Sequence, residues 1–434
     1  MRAEEGVGGS RRPNYAWPLA RAAAAVARRQ LPHPMSRNEH DSRLEQNCAL
    51  ATRLQHSVYE PPAGFGAVQP ATWRASTVLF ADVAALRSRD WRRKDGYTYG
   101  LHGTPTTFML EQRLAEIEGA CHALLCPSGL SAITLVDLAL LEHGDAVLVP
   151  ANGYGPGVEF AQRMLASWGI DAHLYDPLDV DSAARLITPR TRLLWLEAPG
   201  SVSMEMPDLR GLVELARAHG LRTAIDNTWA AGIALRPFEL GIDISIQALT
   251  KYQSGGADVL MGAVMCRDDA LHERLTLAHM RLGLGVGGDD ASLVLRGLST
   301  LALRYAAHDA AARRVAQWLQ TQPQVRRVLH PALPDSPGHA YWARDCSAAG
   351  GLFSFTFVPE VTPAQVDAFV DALRLFGIGY SWGGPRSLAV PYAIDAMRGA
   401  AWRDGSPLVR LAIGLEDADD LIADLAQALA ALNP

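Results

Sequence analysis

Lys251, in the stretch QALTKYQSGG, is one of two lysines in a 434-residue chain whose other basic residues are arginines. Either side chain supplies a cation, so a composition that favours arginine wherever charge suffices marks position 251 as one that needs an amine. A lysine ε-amine can lose its proton, attack a carbonyl carbon and form a Schiff base, whereas a guanidinium stays protonated and is a poor nucleophile. The other lysine, Lys94 in RDWRRKDG, sits among charges that read as interchangeable. Read alone, Lys251 is equally compatible with a solvated surface position.

Two further features share the chain with it. Ser128, Gly129 and Leu130 in LLCPSGLSAI close a short apolar run and open a helical pattern. Such a turn points free backbone N–H groups and the positive end of a helix at its ligand, an arrangement suited to phosphate. Asp226 ends the strand-like run TAIDNT, and Thr250 with Lys251 ends ISIQALTK. An amine, an anion cradle and a strand-end carboxylate together meet the needs of pyridoxal 5'-phosphate. Its aldehyde takes a lysine, its pyridine nitrogen takes a carboxylate that keeps it protonated, and its phosphate takes N–H donors and hydroxyls such as that of Thr250. Taken singly, Ser-Gly-Leu is a common loop and DNT is good capping sequence.

The rest of the chain must position these groups. It is 49% hydrophobic and 20% charged with mean hydropathy +0.01, as expected of a soluble chain long enough for two or three domains. No apolar run approaches the roughly 20 residues of a spanning helix, so no membrane is expected. A net charge of −6 attracts neither nucleic acid nor anionic lipid, which leaves a small molecule as the expected partner. Five scattered cysteines, Cys48, Cys121, Cys126, Cys266 and Cys346, suggest neither a disulfide framework nor a zinc site, and a cytoplasmic location is expected. Cys121 and Cys126, in GACHALLCPSG, read as small thiols buried in a strand. Residues 1–35 are rich in Arg, Ala and Pro without packing periodicity, and read as disordered or as an over-extended start with Met35 as the native one.

From residue 104 helical patterns alternate with strand-like runs. TTFMLEQRLAEIEGA and LSAITLVDLALLEHG are helical; ALLCPSG, DAVLVP, DAHLYD, TRLLWLEAPG, LRTAIDNT, DISIQALT and DVLMGAVMC are strand-like. The alternation predicts an α/β domain over residues 104–297, with a mostly parallel sheet covered by helices on both faces. Residues 298–434 predict a smaller α+β domain, in which GGLFSFTFV reads as an edge-type alternating strand and LVRLAIGLED as another strand. In an open parallel sheet ligands bind at the carboxyl ends of strands, where Asp226 and Lys251 fall. The glycines of GLGVGG, residues 283–288, come after the sheet and do not form a nicotinamide-binding turn.

YTYGLHGTPTT, PSGLSAI, AIDNTWAAG, GIDISIQALTKY, YSWGG and VRLAIGLED, in this order, resemble the cysteine and methionine metabolism family of pyridoxal-phosphate enzymes, and within it the β-eliminating lyases. The likeness runs from about residue 45 to the C-terminus. It implies the fold-type I α/β architecture of PLP-dependent transferases, with residues 36–103 as an arm contacting a neighbouring subunit. It implies Lys251 as Schiff-base lysine and proton shuttle, Asp226 as pyridinium partner, Tyr154 as the ring stacked on the cofactor, and Gly129, Leu130 and Thr250 as phosphate contacts. Arg410 would grip the substrate α-carboxylate as a bidentate fork. Ser381 and Trp382 would line that side of the pocket, and Tyr99 would reach the cofactor phosphate from a neighbouring subunit of a homotetramer, a dimer of dimers with shared active sites.

Each role has a structural alternative: Tyr154 as loop filler, Trp382 as core, Arg410 in a buried salt bridge to a protein carboxylate. Two departures stand out. Leu101 occupies the place where the family commonly carries a phosphate-binding arginine, leaving His102 or Arg93 to compensate, and GGAD at residues 255–258 replaces a common GHSD. The implied reaction is β-elimination of L-cystathionine, an amino-acid substrate, to homocysteine, pyruvate and ammonia, with cysteine and other S-substituted cysteines meeting the same minimal requirement. Trp229 in DNTWAAG favours β- over γ-chemistry by its texture. The alternatives are a γ-acting relative, of the γ-lyase or γ-synthase type, and a protein of this fold with a mainly regulatory binding role.

Overall fold

Seven short runs build the large sheet: β1 His122–Cys126, β2 Ala146–Pro150, β3 Asp171–Tyr175, β4 Thr191–Glu197, β5 Arg222–Asp226, β6 Ile244–Ala248 and β7 Gly262–Cys266. They lie in the order β1-β7-β6-β5-β4-β2-β3. The computed structural model describes residues 48–56, 64–92, 94, 96–395 and 407–432. The reading of residues 1–35, Met35 included, lies outside the described residues. Only β7 runs antiparallel to its neighbours β1 and β6; the remaining pairs are parallel, as expected.

The central strands are largely apolar because successive side chains alternate between two interior faces. In β4, Leu193 and Trp195 pack with Ala132, Ile133, Leu135 and Val136 of α2 (Gly129–Leu140). Leu194 and Leu196 point the other way and join Leu110, Leu114 and Ile117 of α1 (Pro105–Glu118). Helix α1 starts where Thr104 and Thr107 form a reciprocal capping box with Pro105 in the first turn, and stops at Gly119, whose φ of 79° closes the helix in the left-handed region. The glycines of GLGVGG join α3 (Asp269–Leu282) to α4 (Gly288–Leu298).

A second sheet of five strands has the order β10-β11-β12-β9-β8, with β8 Val325–Leu329, β9 Leu352–Phe357, β10 Gly377–Ile378, β11 Leu388–Tyr392 and β12 Leu408–Ala412. Here the sequence expectation fails: β9 is an interior strand between β12 and β8, buried along its whole length. Its alternation separates two interior faces. Phe353, Phe355 and Phe357 pack under α5 (Leu301–Leu319), α6 (Pro363–Ala372) and α7 (Ala418–Ala430). The polar positions turn towards the large sheet, where Ser354 Oγ donates to the carbonyl of Val202 at 2.6 Å.

Two smaller expectations also need correction. Lys94 is not an interchangeable surface charge: its ammonium pairs with the carboxylate of buried Glu111 and lies 3.3 Å from the carbonyl oxygen of Ala123. Cys121 is exposed and precedes β1, whereas Cys126 and Cys266 are buried; all five thiols are free. Among the described residues no cluster of His, Cys, Asp and Glu could hold a metal, and no helix is long and apolar enough to cross a membrane.

The interior placement of β9 is testable. Phe355 is fully buried, with its ring 5.0 Å from that of Phe357 and 6.0 Å from that of Phe369. Phe355→Ala should lower unfolding stability in urea by about 3–5 kcal/mol. A loss below about 1 kcal/mol would return β9 to the sheet edge.

Candidate active site

Strands β5 and β6 run parallel and end on the same edge, so Asp226, last in β5, and Lys251, three residues beyond β6, converge there. Thr228 ties the two ends together. Its backbone N–H donates to Asp226 Oδ1 at 3.0 Å and its hydroxyl donates to the same oxygen, while accepting from the N–H of Ala248 at 2.9 Å. Burial pushes the Asp226 carboxyl up, and the Thr228 bonds and the charge of Lys251 pull it back. Both bonds fall on Oδ1, so Oδ2 is the oxygen left for a ligand.

The amine of Lys251 donates to Ser381 Oγ at 2.7 Å and lies 5.5 Å from the ring of Trp382. Burial, then repulsion from Arg410, lowers its pKa to about 8, against the attraction of Asp226. Ser381 has φ of 85°, unusual for a residue with a side chain. The loop is pressed in close: a Cβ on Gly383 would lie 3.0 Å from the backbone nitrogen of Tyr252 and 3.1 Å from the carbonyl carbon of Lys251. Left-handed backbone at Ser381 is thus fixed by its surroundings beside the amine.

Arg410 reaches the same cleft from the other sheet. It sits mid-way along β12, flanked at two-residue spacing by Leu408 and Ala412, which join the core shared with the large sheet, while Val409 and Leu411 face the opposite way. Its guanidinium lies 5.3 Å from the ring centre of Tyr392. Burial lowers its pKa, and the groups that oppose this are the phenols of Tyr392, Tyr380 and Tyr154. Among the described residues no carboxylate pairs with it, so the buried-salt-bridge alternative does not hold.

Tyr154 follows β2, is 42% exposed, and donates its backbone N–H to Glu197 Oε2 at 2.6 Å. With Asp226, Glu197, Ile133 and Trp195 it lines a small open cleft. Nearby, Ser128 caps α2 by accepting from the N–H of Ser131 at 3.0 Å, leaving the N–H groups of Gly129 and Leu130 in the unpaired first turn. A Cβ on Gly129 would lie 2.7 Å from that of Ala248, so only glycine lets this helix end approach the end of β6. The Thr250 hydroxyl is engaged with Met261, donating to its carbonyl at 3.3 Å and accepting from its N–H at 3.1 Å. To donate to a phosphate it would have to turn from that carbonyl.

The chain therefore gathers Lys251, Asp226, Tyr154, Arg410, Ser381 and Trp382 around one cleft edge, with Gly129, Leu130 and Thr250 beside the end of β6. Tyr99 is elsewhere: half-exposed, it forms an isolated bridge with Thr77, and its neighbours Leu101 and His102 line a separate cavity with Trp91, Lys94 and His279. Burial and Arg89 lower the pKa of His102, whose Nδ1 lies 2.8 Å from Thr98 Oγ1 and whose ring stacks on Trp91. His102 is consequently neutral near pH 7 and does not replace the charge missing at Leu101; Arg93 lies outside the described residues. Sequence reasoning missed Thr228, Glu197 and Tyr392. Glu197 was accessible to it, since it ends β4 beside Asp226 in register, but nothing in the sequence pairs Tyr392 with Arg410.

The amine, the carboxylate with one open oxygen, the aromatic ring and the helix end fit pyridoxal 5'-phosphate. A profile of the family described as Cys/Met metabolism PLP-dependent enzyme matches residues 51–430. The chain is 43% identical over 388 residues to cystathionine beta-lyase of Bordetella avium, covering 88% of this chain and 97% of that one. It is 38% identical over 383 residues to cystathionine beta-lyase of Escherichia coli (strain K12), covering 87% and 97%. Among solved structures, cystathionine gamma synthase from Xanthomonas oryzae pv. oryzae superposes with a TM-score of 0.81 at 32% identity, over 88% of this chain and 98% of that one. The architecture is fold-type I.

The lowered Lys251 pKa fixes the sign of a stability effect in the cofactor-free protein. Below about pH 8 the amine is charged in folded and unfolded chains alike, and its desolvation opposes folding. Between about 8 and the ordinary value of 10.5 the unfolded chain holds the extra proton, so stability rises with pH. Lys251→Met should therefore raise the melting temperature at neutral pH, by an effect on the order of 2 kcal/mol after allowing for partial exposure, and the gain should shrink as pH rises past 8. A gain independent of pH would show that Lys251 titrates as an ordinary lysine.

Proposed function

The chain belongs to the Cys/Met metabolism PLP-dependent enzyme family, and from that premise we propose that it is a carbon–sulfur lyase that cleaves L-cystathionine by β-elimination to homocysteine, pyruvate and ammonia. The observation that carries the reading is the approach of Lys251, an amine of lowered pKa, to Arg410, a guanidinium with no carboxylate partner among the described residues. The names of its relatives at 38–43% identity support β-elimination over γ-chemistry.

Bound pyridoxal phosphate supplies an electron sink that stabilises the negative charge left at Cα when its proton departs. Asp226, whose Oδ1 is held by Thr228, would keep the pyridine nitrogen protonated with its open oxygen. Arg410 binds the α-carboxylate in a two-pronged grip and fixes the amino acid beside Lys251. The Lys251 amine, aimed by Ser381, takes the Cα proton and is then placed to deliver a proton to the departing sulfur. A pKa of about 8 suits both roles near neutral pH better than an ordinary lysine would. The three-carbon remainder is hydrolysed to pyruvate and ammonia. Tyr154 would cover one face of the cofactor ring, and the N–H groups of Gly129 and Leu130 would receive its phosphate.

Tyr99, exposed and next to residues that line a separate cavity, would complete the site only if a second copy of the chain brought it there, which supports an assembly with shared active sites, proposed as a homotetramer. A cytoplasmic location goes with the free thiols and the absence of a membrane-crossing helix among the described residues.

Product analysis with L-cystathionine tests the reading: homocysteine with pyruvate is expected, and cysteine with 2-oxobutyrate would overturn it in favour of γ-chemistry. Lys251→Ala should abolish elimination. Arg410→Ala should lower kcat/KM by about 100-fold or more, largely through KM, as loss of a charge-assisted grip on the α-carboxylate requires. An unchanged KM would remove Arg410 from substrate binding.

A further inference from the structure

Behind the large sheet, on the face away from the cleft, Glu118 ends α1 with 1% of its surface exposed. Ser245 and Gln247 of β6 reach it because they alternate with Ile244 and Ile246, which pack on the α2 side. Its carboxylate accepts from Asn227 Nδ2 at 2.7 Å, and from Ser245 Oγ and Gln247 Nε2. Gln247 Oε1 accepts in turn from Gln253 Nε2. Asn227 directly follows Asp226, and Gln253 lies two residues beyond Lys251. One carboxylate thus terminates two lines of hydrogen bonds, each leading to one of the two groups that converge on the cleft edge.

Space is reserved for this hub. Gly232, with φ of 70°, turns the chain over it, and a Cβ there would lie 2.5 Å from Glu118 Oε2 and 3.3 Å from Gln247 Nε2. The nearest cation is Arg236, whose Nη1 donates to the carbonyl of Ile117 at 2.8 Å. Burial pushes the Glu118 carboxyl up to about 7, with the three donors and Arg236 pulling it back. None of these side chains lines the cleft beside Asp226.

We infer that Glu118 is a positioning residue: by anchoring Asn227 on one side and Gln247 with Gln253 on the other, it sets the separation between the turns that carry Asp226 and Lys251. The inference rests on the reading of those two residues as cofactor ligands. A hydrogen-bonded hub of this kind is rigid only while every donor has its acceptor, and one amide in place of the carboxylate leaves donors facing each other.

Glu118→Gln tests it, with three measurements: melting temperature of the cofactor-free protein, its affinity for pyridoxal phosphate by tryptophan fluorescence, and the pH midpoint of Lys251 acetylation read by mass spectrometry. The variant should bind pyridoxal phosphate at least 10-fold more weakly and move the Lys251 midpoint by half a pH unit or more. The exchange Glu118→Gln/Gln247→Glu, which restores one carboxylate among the amides, should recover affinity to within threefold. A lowered melting temperature with unchanged affinity and midpoint would overturn the inference. Should Glu118→Gln fail to fold, Gln253→Leu cuts only the line towards Lys251 and must still move its midpoint; an unmoved midpoint would overturn it equally. If the parent protein fails to bind pyridoxal phosphate, or Lys251→Ala binds it as tightly, the reading of the cleft falls instead.

Discussion

Two cations, Lys251 and Arg410, share one largely buried cleft edge, where Asp226 is the carboxylate that acts on Lys251 and, among the described residues, none pairs with Arg410. Each is destabilised by burial, and Arg410 further lowers the proton affinity of Lys251. An arrangement so unfavourable in isolation persists only where the surrounding fold leaves no alternative. Arg410 is held in place because it sits mid-strand in β12, between β11 and β9, half-buried with apolar residues on either side. Lys251 cannot withdraw because the Ser381–Gly383 loop presses against its backbone. The same unfavourable state makes the cleft receptive to an anionic, electron-poor partner, whose charge relieves both cations.

Much of this was legible in the sequence because the informative residues are out of character with their surroundings. A lysine in an arginine-rich chain, an aspartate closing an apolar run and an arginine among Leu, Val and Ala each violate the local pattern. Strand and helix alternation was equally plain, since strands buried on both faces leave unbroken apolar runs. Apart from Cys121, an apolar thiol that lies exposed before β1, the failures share one cause, which is that polarity was taken to mean solvent. The Ser and Thr of β9 face an interior surface, Lys94 is held by Glu111, and Glu118, in LAEIEGA, has the ordinary composition of a solvated helix end. Only the packing of other elements onto those positions distinguishes them. Tyr99 exceeds what a single chain can decide.

Leu101 and His102, at the stretch where the sequence leads one to expect a phosphate grip, line a cavity apart from the cleft of Asp226 and Tyr154. Where a guanidinium is expected there is an alkyl chain, and the adjacent imidazole is neutral, stacked and hydrogen-bonded to Thr98. Beside the end of β6 the chain instead presents the first turn of α2, whose unpaired N–H groups and helix dipole suit an anion by direction more than by net charge.

The division of labour between the sheets has a mechanical corollary. Lys251 and Asp226 belong to one sheet and Arg410 to the other, joined through contacts such as that of Ser354 with Val202 and of the Tyr252 hydroxyl with the N–H of Gly351 at 2.6 Å. An amino acid held at its carboxylate by one sheet and at its amino end by the other becomes a strut between two rigid plates. The span between the plates then acts as a gauge, and a substitution at their seam, far from any reacting atom, would be felt at Cα as an error of length.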